Sequence, residues 1–349
     1  MNVYQRSALA CLIALSGFTV VSQASIETSY AHLETPRTQA PPSYQVTSHN
    51  AALLYYRAWL DMSSDLSDTL ADDGETLSLP VGASEILEAN AHSIENLLRA
   101  TRQHNADWDV EYEMGFDALM PHLGKMRYSI KIFAADALRC IEQGDSDGAA
   151  ERIAAMYCAA GHLKNDHILI STLVGLSMTN LSNRLTEQLL DDQSLTPANA
   201  EIILVAMRKI DLSNPIGVRD AIRGECDITV NYFTKNFSGP DAGAKLIEAL
   251  QSWPQDQAES TRAISKMDGE ELREDLSGAS RYYQDVLALW DEPDAATQIA
   301  ALVTPLENEE YGIFTKFFGA AFGRARQNVE AFVISQTKTM ARLQTVAQE

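Results

Sequence analysis

The chain has 349 residues, 46% of them hydrophobic, and carries 48 acidic against 27 basic side chains for a formal charge of −21. That length and apolar share supply core for one large domain or two smaller ones. So acidic a surface repels nucleic acid and anionic lipid, which excludes a nucleic-acid binder and leaves a protein or cell-envelope component as partner.

Residues 1–24 form a short head with Arg6, an apolar run from Ala8 to Val21, and Ser22-Gln23-Ala24. Small residues at the minus-three and minus-one positions after an apolar run are the pattern of a secretory signal peptide. Cleavage after Ala24 is expected, with the mature chain starting at Ser25 in the periplasm or outside the cell. The apolar run is shorter than the roughly 18–20 residues that cross a bilayer. Cys11, in Ala8-Leu9-Ala10-Cys11, comes too early for a lipid-attachment box. No later stretch is long and apolar enough to span, so no membrane span is expected after cleavage.

Residues 25–48 contain Pro36, Pro41 and Pro42 among Ser, Thr and Gln and read as a flexible leader. A single all-helical domain is expected over 49–349, with a sub-boundary near 211–215. A helix is predicted over 50–62. Residues 63–82 are acidic and turn-rich, with Asp72-Asp73-Gly74 and Pro80, and a second helix is predicted from Ser84 to Gln103. In Asp107 to Met114, acidic residues alternate with Trp108, Val110, Tyr112 and Met114, a period of two that marks an extended segment with one wet and one dry face.

Helical spacing then takes over. Met126, Ile130, Phe133, Ala137 and Ile141 form one stripe, and Ala150, Ile153, Ala154, Tyr157, Cys158 and Gly161 form another. Gln143 to Gly148 breaks them, which makes an antiparallel helical hairpin with Gly144 at the turn. Residues 166–190 are apolar nearly all round, as in a helix buried in a stack. Thr196-Pro197 supplies an N-cap followed by proline at the first helical position, and that helix continues to Ile210. Further helices are predicted at 216–236, 241–252 and 270–290. A long last helix is expected to carry Phe314, Phe318, Phe322, Ala325, Val329, Phe332 and Leu343 on one face. The fold class is therefore all-α, built of stacked antiparallel helical hairpins.

The mature chain keeps Cys140, Cys158 and Cys226. Export permits disulfides, but three cysteines cannot all pair within one chain. One pair involving Cys226, or three free thiols, are the alternatives. No haem-attachment or zinc-ligand spacing occurs, so neither a metal nor a cofactor is expected.

Asp107-Trp108-Asp109, Leu119-Met120-Pro121-His122-Leu123, Ala137-Leu138 with Gly144-Asp145 and Ala149-Ala150, and Gly161-His162 followed by Leu169 to Gly175 resemble an uncharacterised family of exported bacterial proteins of planctomycete type. The resemblance covers about a quarter of the chain well. It implies an all-helical fold and carries over no functional residue. The Gly-Asp hairpin also resembles one degenerate tetratricopeptide-like unit, without a recurring period.

Four residues are candidates for chemistry: Asp109, Glu111, His122 and His162. Alternate carboxylates at 107–113 offer ligands for Ca²⁺ or a general acid and base beside a glycan, although an EF-hand would need Gly at 112 and a carboxylate at 118, where Tyr112 and Ala118 stand. The ordinary role of such a ladder is a solvated face. His122 follows Pro121, where packing at a helix start is the plainer role. His162 and His167 flank a break at spacing five, which is not a zinc helix, and Asp166 lies between them to order a histidine. The glycine- and phenylalanine-rich stretch 312–323 suits core packing better than a membrane face, given so few basic neighbours. The reading is an exported scaffold or interaction protein, with an envelope hydrolase or metal-binding protein using 107–113 as the alternative. Mass spectrometry of protein from the native host should find Ser25 at the N-terminus; an intact Met1 or lipid on Cys11 would refute export by this signal.

Overall fold

A computed structural model describes residues 50–62, 66, 69–249, 258–302, 305, 310–317 and 321–349. The expected signal and leader lie outside the described residues. The chain is all-α, 75% helical, with thirteen α-helices among the described residues. In chain order they are α1 (Ala51–Asp61), α2 (Ala83–Ala89), α3 (Ala91–Thr101), α4 (Pro121–Glu142), α5 (Ser146–Gly161), α6 (Leu169–Asp191) and α7 (Pro197–Met207). There follow α8 (Val218–Asn236), α9 (Ala242–Ala249), α10 (Ala258–Ile264), α11 (Gly269–Leu289), α12 (Ala295–Ala301) and α13 (Ala321–Ala347).

The α4/α5 hairpin turns as the sequence predicts. Gly144 has φ 75°, its N–H donates to Ile141 O, and the Asp145 N–H donates to Cys140 O. These two bonds close a Schellman motif at the end of α4. The Asp145 side chain then accepts from Gly148 N and caps α5. Below the turn Asp136, fully buried, is gripped by Arg139 from its own helix and by Arg152 of α5 at 2.7 and 2.8 Å. Thr196 and Asn199 complete a reciprocal capping box on α7, with Pro197 at the first position.

Helix α5 packs against α3, α4, α6 and α7, and the long α13 returns to lie on α6 and α7. One core runs from Ala51 to Leu343, so the break at 211–217 does not divide it. A second, smaller core gathers Phe233, Phe237, Leu246, Ile264, Leu272 and Leu276 from α8 to α11. Cys140, Cys158 and Cys226 are all free thiols. No described helix is long and apolar enough to cross a membrane.

Several elements differ from the sequence expectation. The helix over 84–103 is two helices, because the Asn90 side chain takes the Ile86 carbonyl and interrupts the ladder. Residues 71–78 contain a small antiparallel hairpin, β1 (Ala71–Asp72) with β2 (Leu77–Ser78). It is docked on α6, where Arg184 holds Asp72 and Gln188 bonds both the N–H and the carbonyl of Leu77. Helices α10 and α12 were not anticipated. The extended segment stops early: Asp109 is left-handed at φ 55°, and Tyr112–Asp117 forms a 3₁₀ turn. Phe314 belongs to a separate 3₁₀ turn, Phe314–Phe317, rather than to α13. Phe322 is buried against Tyr282 and Tyr283, as core packing requires, whereas Phe318 and residues 250–252 lie outside the described residues.

Gly144 meets no neighbour within 4 Å where a Cβ would stand, so a substitution there tests backbone conformation alone. Gly144→Val should destabilise by about 1–2 kcal/mol. An unchanged denaturation midpoint would reject the turn.

Candidate functional site

The acidic segment is fixed by Asn50, directly before α1. The Asn50 side chain accepts from Ala52 N and Asp107 N and donates to Asp107 O, at 2.9–3.0 Å. Ala51 N donates to Asn105 O beside it. So tethered, the chain drives Trp108 inward and leaves Asp107, Asp109 and Glu111 exposed. The wet and dry faces predicted from the alternation are real over this stretch, although no strand forms.

Trp108 is the centre of an aromatic cluster. Its ring lies on the His122 imidazole at 4.7 Å and 11°, and on Trp59 at 6.0 Å and 12°. Tyr55 and Tyr56 of α1 pack at 5.5 and 6.0 Å from it. The Trp59 indole donates to Ser129 Oγ on α4 at 2.9 Å. Trp108 Nε1 is buried and meets no acceptor among the described residues.

His122, in the first turn of α4, is buried. Its Nε2 donates to Asp166 Oδ2 at 2.8 Å, and both side chains are almost without solvent exposure. Asp166 therefore orders His122, 44 residues away, rather than the adjacent His162 or His167. The ring face of His122 is covered by Trp108. The pair pins α4 to the 3₁₀ turn His162–Asp166. Burial, then Asp166, then Asp109 raise the Tyr56 phenol. Burial, then Asp166 and Asp107 raise that of Tyr112.

His162 has both ring nitrogens engaged. A carbonyl can only accept, so Nε2 carries the proton that goes to Gln103 O at 3.0 Å, and Nδ1 accepts from Tyr55 OH at 3.1 Å. Burial depresses its basicity most; the bond to Gln103 opposes this, while Lys164 and Lys209 depress it further. A neutral imidazole with both nitrogens bonded is a poor proton shuttle.

The structure thus joins His122 and His162 through Trp108 and Tyr55, and leaves Asp109 and Glu111 outside that cluster. Neither carboxylate bonds or ion-pairs with a described residue. Among the described residues no group of three or more His, Cys, Asp or Glu is placed to hold a metal ion. Tyr55 and Trp59 were not singled out by sequence reasoning, which took Leu53, Leu54, Tyr56 and Leu60 as the apolar side of this helix; Tyr55 is buried instead, and Leu53 and Leu60 are exposed. On the far side of His162 a cleft of about 370 Å³ opens between the ends of α3, α5 and α7. Cys158 lines it, half-buried, with Lys209 Nζ at 3.6 Å from its sulfur. Burial pushes that thiol up, against the pull of the Lys209 charge.

Comparison with protein-family models, curated proteins and solved structures finds no match.

The geometry separates a structural ring from solvated carboxylates. Trp108→Ala should cost about 3–5 kcal/mol, as large aromatic truncations in cores do. Asp109→Asn with Glu111→Gln should change stability by less than about 0.5 kcal/mol. Chemical denaturation of the variants gives both values, and a costlier double variant would reverse the assignment.

Proposed function

We propose that this chain is an exported helical scaffold or interaction protein that works by presenting a surface to a protein partner. The observation that carries this reading is α7. Its inner residues Ile203, Leu204, Ala206 and Met207 are buried, yet Ile202 and Val205 on its outer side are 43% and 49% exposed. On that outer side the two apolar side chains stand beside the Glu201–Arg208 ion pair, and apolar groups framed by charge suit a partner's surface. Export rests on residues 1–24. The locked imidazoles support a non-catalytic role for His122 and His162: one is sealed under Trp108, and the other has both nitrogens bonded.

A second reading keeps the carboxylates. Asp109 and Glu111 are exposed beside the half-buried rings of Tyr56 and Tyr112, and carboxylates next to aromatic faces suit an envelope glycan. Under this alternative the protein is an envelope hydrolase or a Ca²⁺ binder.

One experiment distinguishes them. The protein is used to capture partners from envelope extract of the native host, beside an Ile202→Glu/Val205→Glu variant of unchanged circular dichroism. A partner protein lost about tenfold or more in the variant supports the surface reading. Equal capture by both proteins overturns it. Calorimetric binding of Ca²⁺ or glycan fragments that disappears in Asp109→Asn/Glu111→Gln would install the alternative.

A further inference from the structure

We infer that the cleft at the ends of α3, α5 and α7 binds a small organic anion, a carboxylate or phosphate group carried on a largely apolar body. Its volume, about 370 Å³, falls within the range of small-molecule sites. Three cations line it, Arg102, Lys164 and Lys209, in a protein whose acidic residues outnumber its basic ones 48 to 27. Arg102 is held at the mouth by Glu95 and Glu151. Lys164 and Lys209 form no ion pair among the described residues. Lys209 turns its ammonium to Cys158 on the cleft wall, and both lysines act on His162 at its base. The Lys209 charge is therefore directed into the cleft, which Lys164 also lines with an exposed side chain.

Two features oppose an anion. Asp211 also lines the cleft, but one of its oxygens is bonded to the N–H and the hydroxyl of Ser213, within its own loop. Three helices end here, each bringing about half a negative charge at its carbonyl end, and a lysine beside such an end is an ordinary complement. Arg102 is already matched by Glu95 and Glu151, so the two lysines are set against Asp211 and the helix carbonyl ends, and the charge around the cleft is close to balanced. Two ammonium groups without a carboxylate partner among the described residues suit a single anionic group and not a polyanion. Ile210, Ile216 and the Tyr157 ring supply apolar wall for the rest of the ligand.

The wall is also held under strain. Ile216 is β-branched and sits at φ 50°, ψ 30°, a conformation such residues rarely adopt. Gly217 follows at φ 70°, and a Cβ there would lie 2.8 Å from the Lys164 carbonyl. Glycine at 217 lets the chain pass against the Lys164 carbonyl, which holds this segment beside the one that carries Lys164. Strained backbone of this kind gathers at binding sites.

The test uses benzoate and inorganic phosphate as probes, with sodium chloride at matched ionic strength as the control. At least one probe should raise the thermal midpoint of the wild-type protein above the chloride value. Lys164→Gln/Lys209→Gln should lose that shift, and Lys164→Arg/Lys209→Arg should keep it. An independent readout is alkylation of Cys158, mapped by peptide mass spectrometry with the half-buried Cys226 as internal reference. The rate with anionic iodoacetate, relative to neutral iodoacetamide, should fall on the order of tenfold at Cys158 in the Gln double variant. The inference is overturned if neither probe stabilises the wild type, if the Gln variant keeps the shift, or if the iodoacetate preference is unchanged. Failure here leaves the α7 surface untouched, because the partner-capture experiment reads different residues.

Discussion

The arrangement depends on how closely α5 can be approached from four directions. Ala149, Ala150, Ala155, Ala159 and Ala160 are all buried, so no side chain longer than a methyl stands at those positions between α5 and its neighbours. Helices that meet through alanine pack at the short end of the usual interaxial range, and an added methylene there has nowhere to go. The same helix carries Arg152 to Asp136, so the hairpin is joined by charge as well as by shape. A fully buried carboxylate that loses one of two cations is strongly destabilised, which makes the α4/α5 pairing specific.

The aromatic cluster is an outer layer built on that hub. Helix α1 lies along α3 and contributes Tyr55 and Trp59, which close over Trp108 and His122. Here the two histidines act as polar rivets. Each ties together segments distant in sequence where water is excluded, His162 through both ring nitrogens and His122 through its Nε2 to Asp166. Satisfied buried polar groups of this kind fix one arrangement of the core among several of similar apolar burial.

Local signals in the chain were legible where they are written in adjacent residues. The Gly144 turn, the Thr196-Pro197 cap and the inward Trp108 all follow from patterns a few positions long. The break at Asn90 escaped notice because an amide side chain competes with the ladder only when its rotamer reaches back one turn. The 71–78 hairpin was missed because its strands are two residues long and α6 stabilises them. For the site, His122 and His162 were visible, but their partners Asp166, Tyr55 and Gln103 are 44 to 107 residues away. Nothing periodic announces such pairings. The cleft was equally hidden, since its cations come from three separate helix ends.

Asn50 fastens two segments at once. Helix α1 starts at Ala51, yet the residue before it caps that helix and also fastens the backbone of Asp107. A chain shortened to start at Ala51 would keep every turn of the helix and lose the clasp that seats Trp108. A substitution that spares every helix but removes this one amide would therefore loosen a segment 57 residues away.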